Sequence, residues 1–414
     1  MKRAIVIGGG IIGLSSAYYL RKAGWDVAIL DRHSGKEGAS YGNAGYIGPS
    51  HYTPLANPKA FKNALKWMLS PTSPFYVHPS LSLSLIDWGM KFMANATLQH
   101  VRDSARPLID IALLSQKLYE EWHAEFLPFP YEKKGLIEVY QTEASFLSAA
   151  AHAKSSCSNY GLEMEAINRS DLERLEPEVT MNVAGGVHVL TDAHTYPPRL
   201  MATLLEQLRQ MDVKMIAAEA TSFTTSGGRI VEVQTPERPY EADLFVLAAG
   251  AWSRELGRSA GIEVPMVAGR GYSITYPHTV CPLRHPLYLG EASVAVTPMD
   301  GDKVRIGGTM EIVPKGTPPR MARVRGILES AHRFLPQNRF PNARPEDVWY
   351  GYRPCSADGL PYIGRSLERK NLIVATGHSM LGLSLGPATG KLVTEIAEEA
   401  PHSVGLAPFD PNRF

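Results

Sequence analysis

Arg353 stands in WYGYRPCSADGLPYIG (349–364), an arginine among aromatics followed by a proline and a polar turn. A guanidinium so placed suits a two-pronged clamp on a carboxylate, because its planar fork matches two oxygens at once. Packing against Tyr350 or Tyr352 is the alternative. His378, in ATGHSMLGLSLGPATG (375–390), is a catalytic candidate, but the commoner role of such a loop residue is to touch a cofactor by its backbone. Glu311 in GGTMEI (307–312) is a candidate partner for a substrate amine or for a structural ion pair. Tyr272 in GRGYSI (269–274) either lines a pocket or packs in a core.

Glycines set the surroundings for that chemistry. Gly8, Gly10 and Gly13 in GGGIIG follow the apolar run 4–7. One glycine permits a tight turn, one admits a pyrophosphate to backbone N–H groups, and one lets the helix pack on the sheet. Asp31 ends the next apolar run, where a carboxylate accepts from ribose hydroxyls. Strand, glycines, helix, strand and acid occur in order, which favours a dinucleotide over a bare structural turn. About 360 residues later the 375–390 stretch offers a second glycine-lined helix start. A nicotinamide enzyme needs only the first; FAD held between two domains uses both. In GASYGNAGYIGPS (38–50), Ser40 and Asn43 can donate to phosphate, and Gly42 and Gly45 let backbone approach a flat ring. VLAAGAWS (246–253) ends a buried strand in small residues, as a close ligand or a tight turn requires.

The elements that must position these residues follow from the apolar pattern. Residues 4–7, 27–30, 244–247 and 372–375 read as buried strands of the parallel-sheet kind, and 213–217 as a further strand. Residues 14–23, 198–212 and 386–400 read as helices. Residues 58–126 look helical, with Ala60, Ala64, Leu65 and Met68 on one face. Residues 135–140 and 185–190 read as strands, 145–160 as a helix, and 170–178 as a short helix capped by Ser170 with Glu173. Residues 265–345 alternate strands and turns, as in an antiparallel sheet. Trp67, Met68, Trp88, Met90, Phe92 and Met93 form either a helix–helix core or a shallow apolar face that meets a membrane or a quinone.

The chain has 414 residues, 44% apolar and 20% charged, with net charge +1. Two domains are expected at this length. Nothing points to nucleic acid. Cys157, Cys281 and Cys355 form no CxxC pair, which argues against a disulfide framework or a structural metal and favours a reducing compartment. No signal peptide and no spanning helix are read, so a cytoplasmic location is expected, with peripheral contact on the inner face of the cytoplasmic membrane.

Taken together the motifs resemble the FAD-dependent D-amino-acid dehydrogenase family, in the group that includes glycine oxidase and sarcosine oxidase. The likeness covers nearly the whole chain. It is carried by GGGIIG with Asp31-Arg32, SYGNAG (40–45), NPKAFKNALKWMLS (57–70), VLAAGAWS, GRGYS (269–273), GGTMEI, GYRPCSADGLPYIG and ATGHSMLGLSLGPATGKL. It implies that Gly8, Gly10, Ile11, Ile12, Gly13, Asp31 and Arg32 hold FAD, with Ser40, Asn43, Ala44, Gly45 and Tyr46, and with Ala248, Ala249, Gly250 and Trp252. Gly377, His378, Ser379, Met380, Leu381, Gly382, Leu383 and Ser384 are implied to lie by the isoalloxazine. Arg353 matches the arginine that binds the substrate carboxylate. Cys355 lies nearer the aspartate than the flavin-linking cysteine of sarcosine oxidase, so FAD is expected to be non-covalent. Glycine oxidase carries an arginine where this chain has SML (379–381), which favours an apolar pocket.

The expected fold class is α/β: a Rossmann-like FAD-binding domain (1–56, 160–260 and 346–414) interleaved with an α+β substrate domain on a mixed or antiparallel sheet (57–159 and 261–345). The expected reaction is oxidative deamination of a D-amino acid to a 2-oxo acid through the imino acid. Hydride passes from Cα–H to flavin N5, and electrons pass to a quinone or dye acceptor. Arg353 fixes the carboxylate with a hydroxyl from Tyr272 or Tyr52, and His378 is a further candidate. Alternatives are an oxygen-using oxidase of the same fold, a D-proline or D-hydroxyproline dehydrogenase, a nicotinamide enzyme, and a flavin-binding module without catalysis.

Overall fold

A computed structural model describes residues 1–58, 67, 70, 72–79, 82–126 and 128–414. The expected helical face of Ala60, Ala64, Leu65 and Met68 lies outside the described residues. The apolar runs of the sequence form a six-stranded sheet. Its order is Lys214–Ile216, Asp26–Leu30, Arg3–Ile7, Leu244–Leu247, Leu372–Thr376 and Tyr362–Arg365. The first five strands are parallel and the last is antiparallel. The four inner parallel strands, largely buried on both faces, need continuous apolar sequence, which is why they were legible; the edge strand Lys214–Ile216 is partly exposed. One face is covered by helices Ile11–Lys22, Pro197–Gln210 and Gly382–Ala397, and outside these lies the long helix Leu98–Glu125.

The second layer is a nine-stranded mixed sheet. Its main path runs Val348–Ser356, Met266–Pro277, Lys303–Ile312, Val294–Met299, Leu287–Leu289, Leu136–Tyr140, Gly185–Val189 and Met164–Asn168, with Phe75–Val77 paired to Met310–Ile312. Sheet membership departs from the expected boundaries at 160 and 346. Strands 164–168, 185–189 and 348–356 all pair in the larger sheet.

Three expectations need correction. Within 265–345 lies a helix, Met321–Phe334, whose Val324, Ile327, Leu328 and Ala331 bury one stripe against the larger sheet. Their three- and four-residue spacing is helical, not alternating. The short helix is Arg169–Leu175, capped by Asn168 with Asp171 rather than by Ser170 with Glu173. The closing helix starts at Gly382, four residues before the expected start, so 382–384 are its first turn. In the early region two described helices, Leu83–Asn95 and Leu98–Glu125, follow the strand Phe75–Val77. Among the described residues no helix is long and apolar enough to cross a membrane.

Candidate active site

The two sheets face each other across one cavity of about 2380 Å³. Single-ligand pockets run to roughly 1,000 Å³, so this one has room for a large cofactor and a substrate together.

At one end the first strand runs into Gly8, whose φ is +114° and whose Cβ would lie 2.3 Å from the Ala248 carbonyl oxygen. A Cβ on Gly9 would meet Asp31 Cγ at 2.9 Å, and one on Gly13 would meet Gly8 O at 1.8 Å. Gly13 therefore seats the first helix on its strand and does not border the cavity, whereas Gly10, Ile11 and Ile12 do. Ser40 Oγ accepts from Ile11 N at 3.0 Å and caps that helix, a role other than the expected donation to phosphate. The Asp31 carboxylate accepts from Gly9, His33 and Gly35 N–H groups, so it braces the glycine turn besides bordering the cavity. Arg32 stacks on Trp252 at 4.2 Å and pairs with Glu219, forming a wall beside Ala248, Ala249 and Gly250.

The 40–46 loop is tied down by residues the sequence reading missed. Arg305 Nη1 donates to the carbonyls of Tyr41 and Asn43, both at 2.8 Å, and Ser273 Oγ donates to Gly42 O. Burial pulls the Arg305 guanidinium down to about 10, which leaves it charged at neutral pH. The only signal was an arginine amid the β-branched residues of KVRIGG. A Cβ on Gly42 would lie 2.0 Å from the Trp349 indole, so the flat ring this glycine admits is the protein's own. Asn43 Oδ1 accepts from Gly45 N, closing its own turn, and a Cβ on Gly45 would strike Thr195 O at 2.2 Å. Ala44 and Tyr46 border the cavity; Gly45 does not.

A second helix N-terminus reaches the cavity beside the first. The closing helix presents Gly382, Leu383 and Ser384 after His378, Ser379, Met380 and Leu381. It packs on the first helix at backbone distance, since a Cβ on Gly390 would lie 2.4 Å from Ser15 C and one on Gly386 2.6 Å from Ile11. Pro387 has no N–H for the Leu383 carbonyl, and the buried Tyr119 hydroxyl donates there instead at 2.7 Å. Gly377 (φ +79°) lets the chain turn past Tyr362 and stands behind the wall.

One buried atom on this loop, His378 Nδ1, has no hydrogen-bond partner in the protein, whereas the Ser379 side chain meets the Cys355 thiol. His378 Nε2 is 3.0 Å from Thr389 Oγ1, whose own proton goes to Leu385 O. His378 is therefore a donor at Nε2 and a lone pair at Nδ1. Burial pushes its pKa down to about 3, so it stays neutral.

Arg353 borders the cavity on the larger sheet. Its Nη1 donates to Thr309 O at 2.6 Å, and its guanidinium lies over Gly271, where a Cβ would come within 2.2 Å. The expected hydroxyl partners do not join it. Tyr272 borders the cavity, but strand alternation turns its side chain away from the face of Ser273 and Arg353. Its hydroxyl donates to Glu311 at 2.7 Å and accepts from Arg320 N. Tyr52 is buried off the cavity wall, bonded to His152 and Ser156. Glu311 is fully buried in an ion pair with Arg270 at 2.7 Å, with Arg323 at 3.4 Å, so the structural alternative holds for it. Cys355 is buried behind the wall, 3.9 Å from Met310 Sδ, and burial raises its thiol to about 11.

The floor beneath the cavity is paved with small residues. Trp349, Ser273, Gly307, Ala295, Tyr288 and Glu138 lie in register across the sheet, large at the ends and small between. Flat rings fit over such a floor.

Comparison with known proteins accords with this geometry. The family model described as FAD dependent oxidoreductase matches residues 3–396. The chain is 29% identical over 401 residues to a protein named D-amino acid dehydrogenase from Helicobacter pylori, covering 96% of this chain and 95% of that one. It is similar in structure to glycine oxidase from Geobacillus kaustophilus (TM-score 0.79, 23% identity, 100% of both chains). The same holds for L-proline dehydrogenase from P. horikoshii (TM-score 0.79, 16% identity, 100% of this chain and 97% of that one). These two likenesses show the fold.

Proposed function

The chain belongs to the family of FAD-dependent oxidoreductases, and on that premise we propose that it oxidises D-amino acids to imino acids, which hydrolyse to 2-oxo acids. FAD fits the cavity on two counts. Two capped or glycine-lined helix N-termini lie side by side there, and the buried lone pair of His378 Nδ1 awaits a partner. The glycine turn, Asp31, Arg32 and the 248–252 turn hold its dinucleotide part, and residues 43–46 and 378–384 hold its ring. FAD, when bound, supplies the two-electron acceptor next to the substrate carbon.

The observation that carries the amino-acid reading is Arg353: a guanidinium on the cavity wall, cleared by Gly271 and tied by one N–H to Thr309. Its remaining donors receive the substrate carboxylate. Burial lowers its pKa, which marks a desolvated charge and strengthens a carboxylate contact. His378, held neutral, keeps positive charge away from the substrate amine, whose lone pair must be free. Apolar Met380 and Leu381 border the same space and favour an apolar side chain or a proline-like ring. The 29%-identical relative named D-amino acid dehydrogenase supports the D configuration. We take the acceptor to be a quinone rather than oxygen. The division into two discontinuous units and peripheral contact with the inner face of the cytoplasmic membrane belong to the same reading.

The test is anaerobic mixing of the yellow protein with matched D- and L-amino acids, proline and hydroxyproline isomers included, while flavin absorbance is followed. Bleaching by D-isomers alone is expected. Bleaching by L-isomers, glycine or sarcosine, or by none, would sink the assignment.

A further inference from the structure

The cavity has a second lobe that the amino-acid reading does not use. Arg353 stands on one edge strand of the larger sheet, and Tyr288 stands four strands away. At the usual spacing that is about 19 Å of sheet, too far for one small substrate to span. His51 borders this lobe, its ring 5.8 Å from both Tyr46 and Tyr288. Tyr140 lies against Gly290, where a Cβ would come within 2.2 Å of its ring, and donates to Glu138. The lobe reaches the surface past Ser148 and His152.

Its chemistry differs from that around Arg353. Glu138, in register with Tyr288, and Glu291, next to Gly290, border the cavity here. An amino-acid carboxylate is disfavoured beside that pair. A neutral ring with carbonyl oxygens finds tyrosine faces and a histidine donor.

Behind His51 runs a hydrogen-bonded chain. His51 Nδ1 is 2.9 Å from Ser50 Oγ, and Ser50 Oγ donates in turn to Asp192 Oδ2. Asp192 is 1% exposed and also accepts from Ser50 N. Gly48 makes room for it, since a Cβ there would lie 2.1 Å from Asp192 Oδ1. The titratable groups that face Asp192 are His51 and Glu138. Asp192 pins the 48–51 turn through the Ser50 N–H and hydroxyl, and the same serine wires the buried carboxylate to a histidine on the cavity wall.

We propose that this lobe binds the electron acceptor, a quinone, between Tyr288 and Tyr140, and that His51 passes it a proton relayed from Asp192 through Ser50. The proposal rests on the amino-acid oxidase reading for its electrons. The amino acid loses two electrons and two protons on becoming the imino acid. The quinone gains two electrons and two protons, and both ring carbonyls become hydroxyls. When Asp192 carries its proton, the Ser50 hydroxyl turns to accept from it and donates to His51 Nδ1, so His51 gives one proton from Nε2 as Nδ1 is recharged; the other proton comes with the electrons, from the two that the amino acid releases. His51 is a catalytic residue of the acceptor step, and Asp192 is a positioning residue that acts through it.

The test separates the two half-reactions of the FAD-loaded protein and adds a binding measurement. Protein reduced anaerobically by a D-amino acid is mixed with ubiquinone-1. His51→Gln is expected to slow reoxidation roughly 100-fold, the scale of one lost proton donor, and to leave reduction by the amino acid unchanged. Wild-type reoxidation should fall as pH rises through about 6, where Asp192 loses its proton, and Asp192→Asn should flatten that profile. Equilibrium dialysis with ubiquinone-1 should show saturable binding, weakened roughly tenfold by Tyr288→Leu through the lost ring contact. Slowed reduction with normal reoxidation in His51→Gln would place the lobe in amino-acid binding and overturn the proposal. Absent or Tyr288-independent dialysis binding would overturn it as well. If no D-amino acid reduces the protein, the functional reading fails, and dialysis still decides the lobe.

Discussion

Arg353 and His378 meet the cavity in opposite electrostatic states, and each state has a measurable consequence. Arg353→Ala removes a charge-assisted pair to the carboxylate. A loss of about 3 kcal/mol, or roughly 100-fold in kcat/KM, is expected, with yellow colour retained. Gly271→Ala tests the same contact without touching the charge. Its new Cβ would collide with the guanidinium, so KM should rise while Arg353 remains. Equal kinetics in wild type and Gly271→Ala would mean that Arg353 does not hold substrate from this position. His378 makes a separate prediction on stability. Its folded pKa, about 3, lies below the unfolded value near 6.5, so the unfolded chain binds the extra proton. Stability is therefore complete above pH 6.5 and is lost as pH falls from 6.5 toward 3. At pH 5 the linkage is on the order of 2 kcal/mol. His378→Gln should show a shallower fall of Tm between pH 7 and 5 than wild type. Buried His194, with a pKa near 4, contributes in the same direction, so the slope should not vanish.

At the scale of elements, the pairing of two helix N-termini depends on one proline and one tyrosine far apart in sequence. Pro387, in the second turn of the closing helix, leaves the Leu383 carbonyl of the first turn without its helical partner, and Tyr119, from the long helix, fills it. Tyr119→Phe should cost about 1–3 kcal/mol, the desolvation of one orphaned carbonyl. Because Leu383 borders the cavity, FAD affinity measured by dilution and dialysis should fall with Tm. A drop in Tm with unchanged FAD affinity would confine Tyr119 to stability. This element also shows how far the sequence could be read. Four of the five parallel strands were legible because continuous apolar runs leave no choice of face; the edge strand Lys214–Ile216 carries an exposed lysine. The glycines were legible because close approach admits no Cβ. The start of the closing helix was not, because a proline six residues in reads as a boundary until its missing bond is seen to be replaced from elsewhere. Tyr272 failed for another reason. Period-two alternation says that it and Ser273 point to opposite faces, but not which face meets the cavity. Tyr52 was unreadable because its partner, Ser156, is 104 residues away. The helix Met321–Phe334 carries a legible three- and four-residue spacing, which the alternating strands before it mask.

For the whole molecule, the open question is what covers the helix Leu83–Asn95. Its inner side is committed: Trp88 is buried and donates to Cys355 O, and Leu85, Gly89 and Phe92 border the cavity. Its outer side is also apolar. Leu83, Ile86 and Met90 are 83%, 44% and 57% exposed at helical spacing, Met93 is 53% exposed where it borders the cavity, and Leu98 beyond them is 65% exposed. A surface helix that owed apolar residues only to the core would carry charge on that side. The charged residues nearby are internally paired, Asp87 with Lys91 and Arg254, so they add little long-range attraction. If this stripe is the peripheral contact with a membrane, burial of apolar area drives it and salt should matter little. The paired change Ile86→Asp with Met90→Asp removes two insertions and adds two charges. At about 25 cal/mol per Å² of buried apolar surface, it should lower partitioning into phosphatidylethanolamine–phosphatidylglycerol vesicles by at least tenfold. Both changes lie on the exposed side, so amino-acid reduction of the cofactor should be unaffected, whereas turnover with a quinone dissolved in the bilayer should fall in proportion to binding. Co-sedimentation at low and high salt decides the point. Equal partitioning of variant and wild type would remove the membrane from this face, and binding abolished by salt would assign it to charge rather than to the stripe.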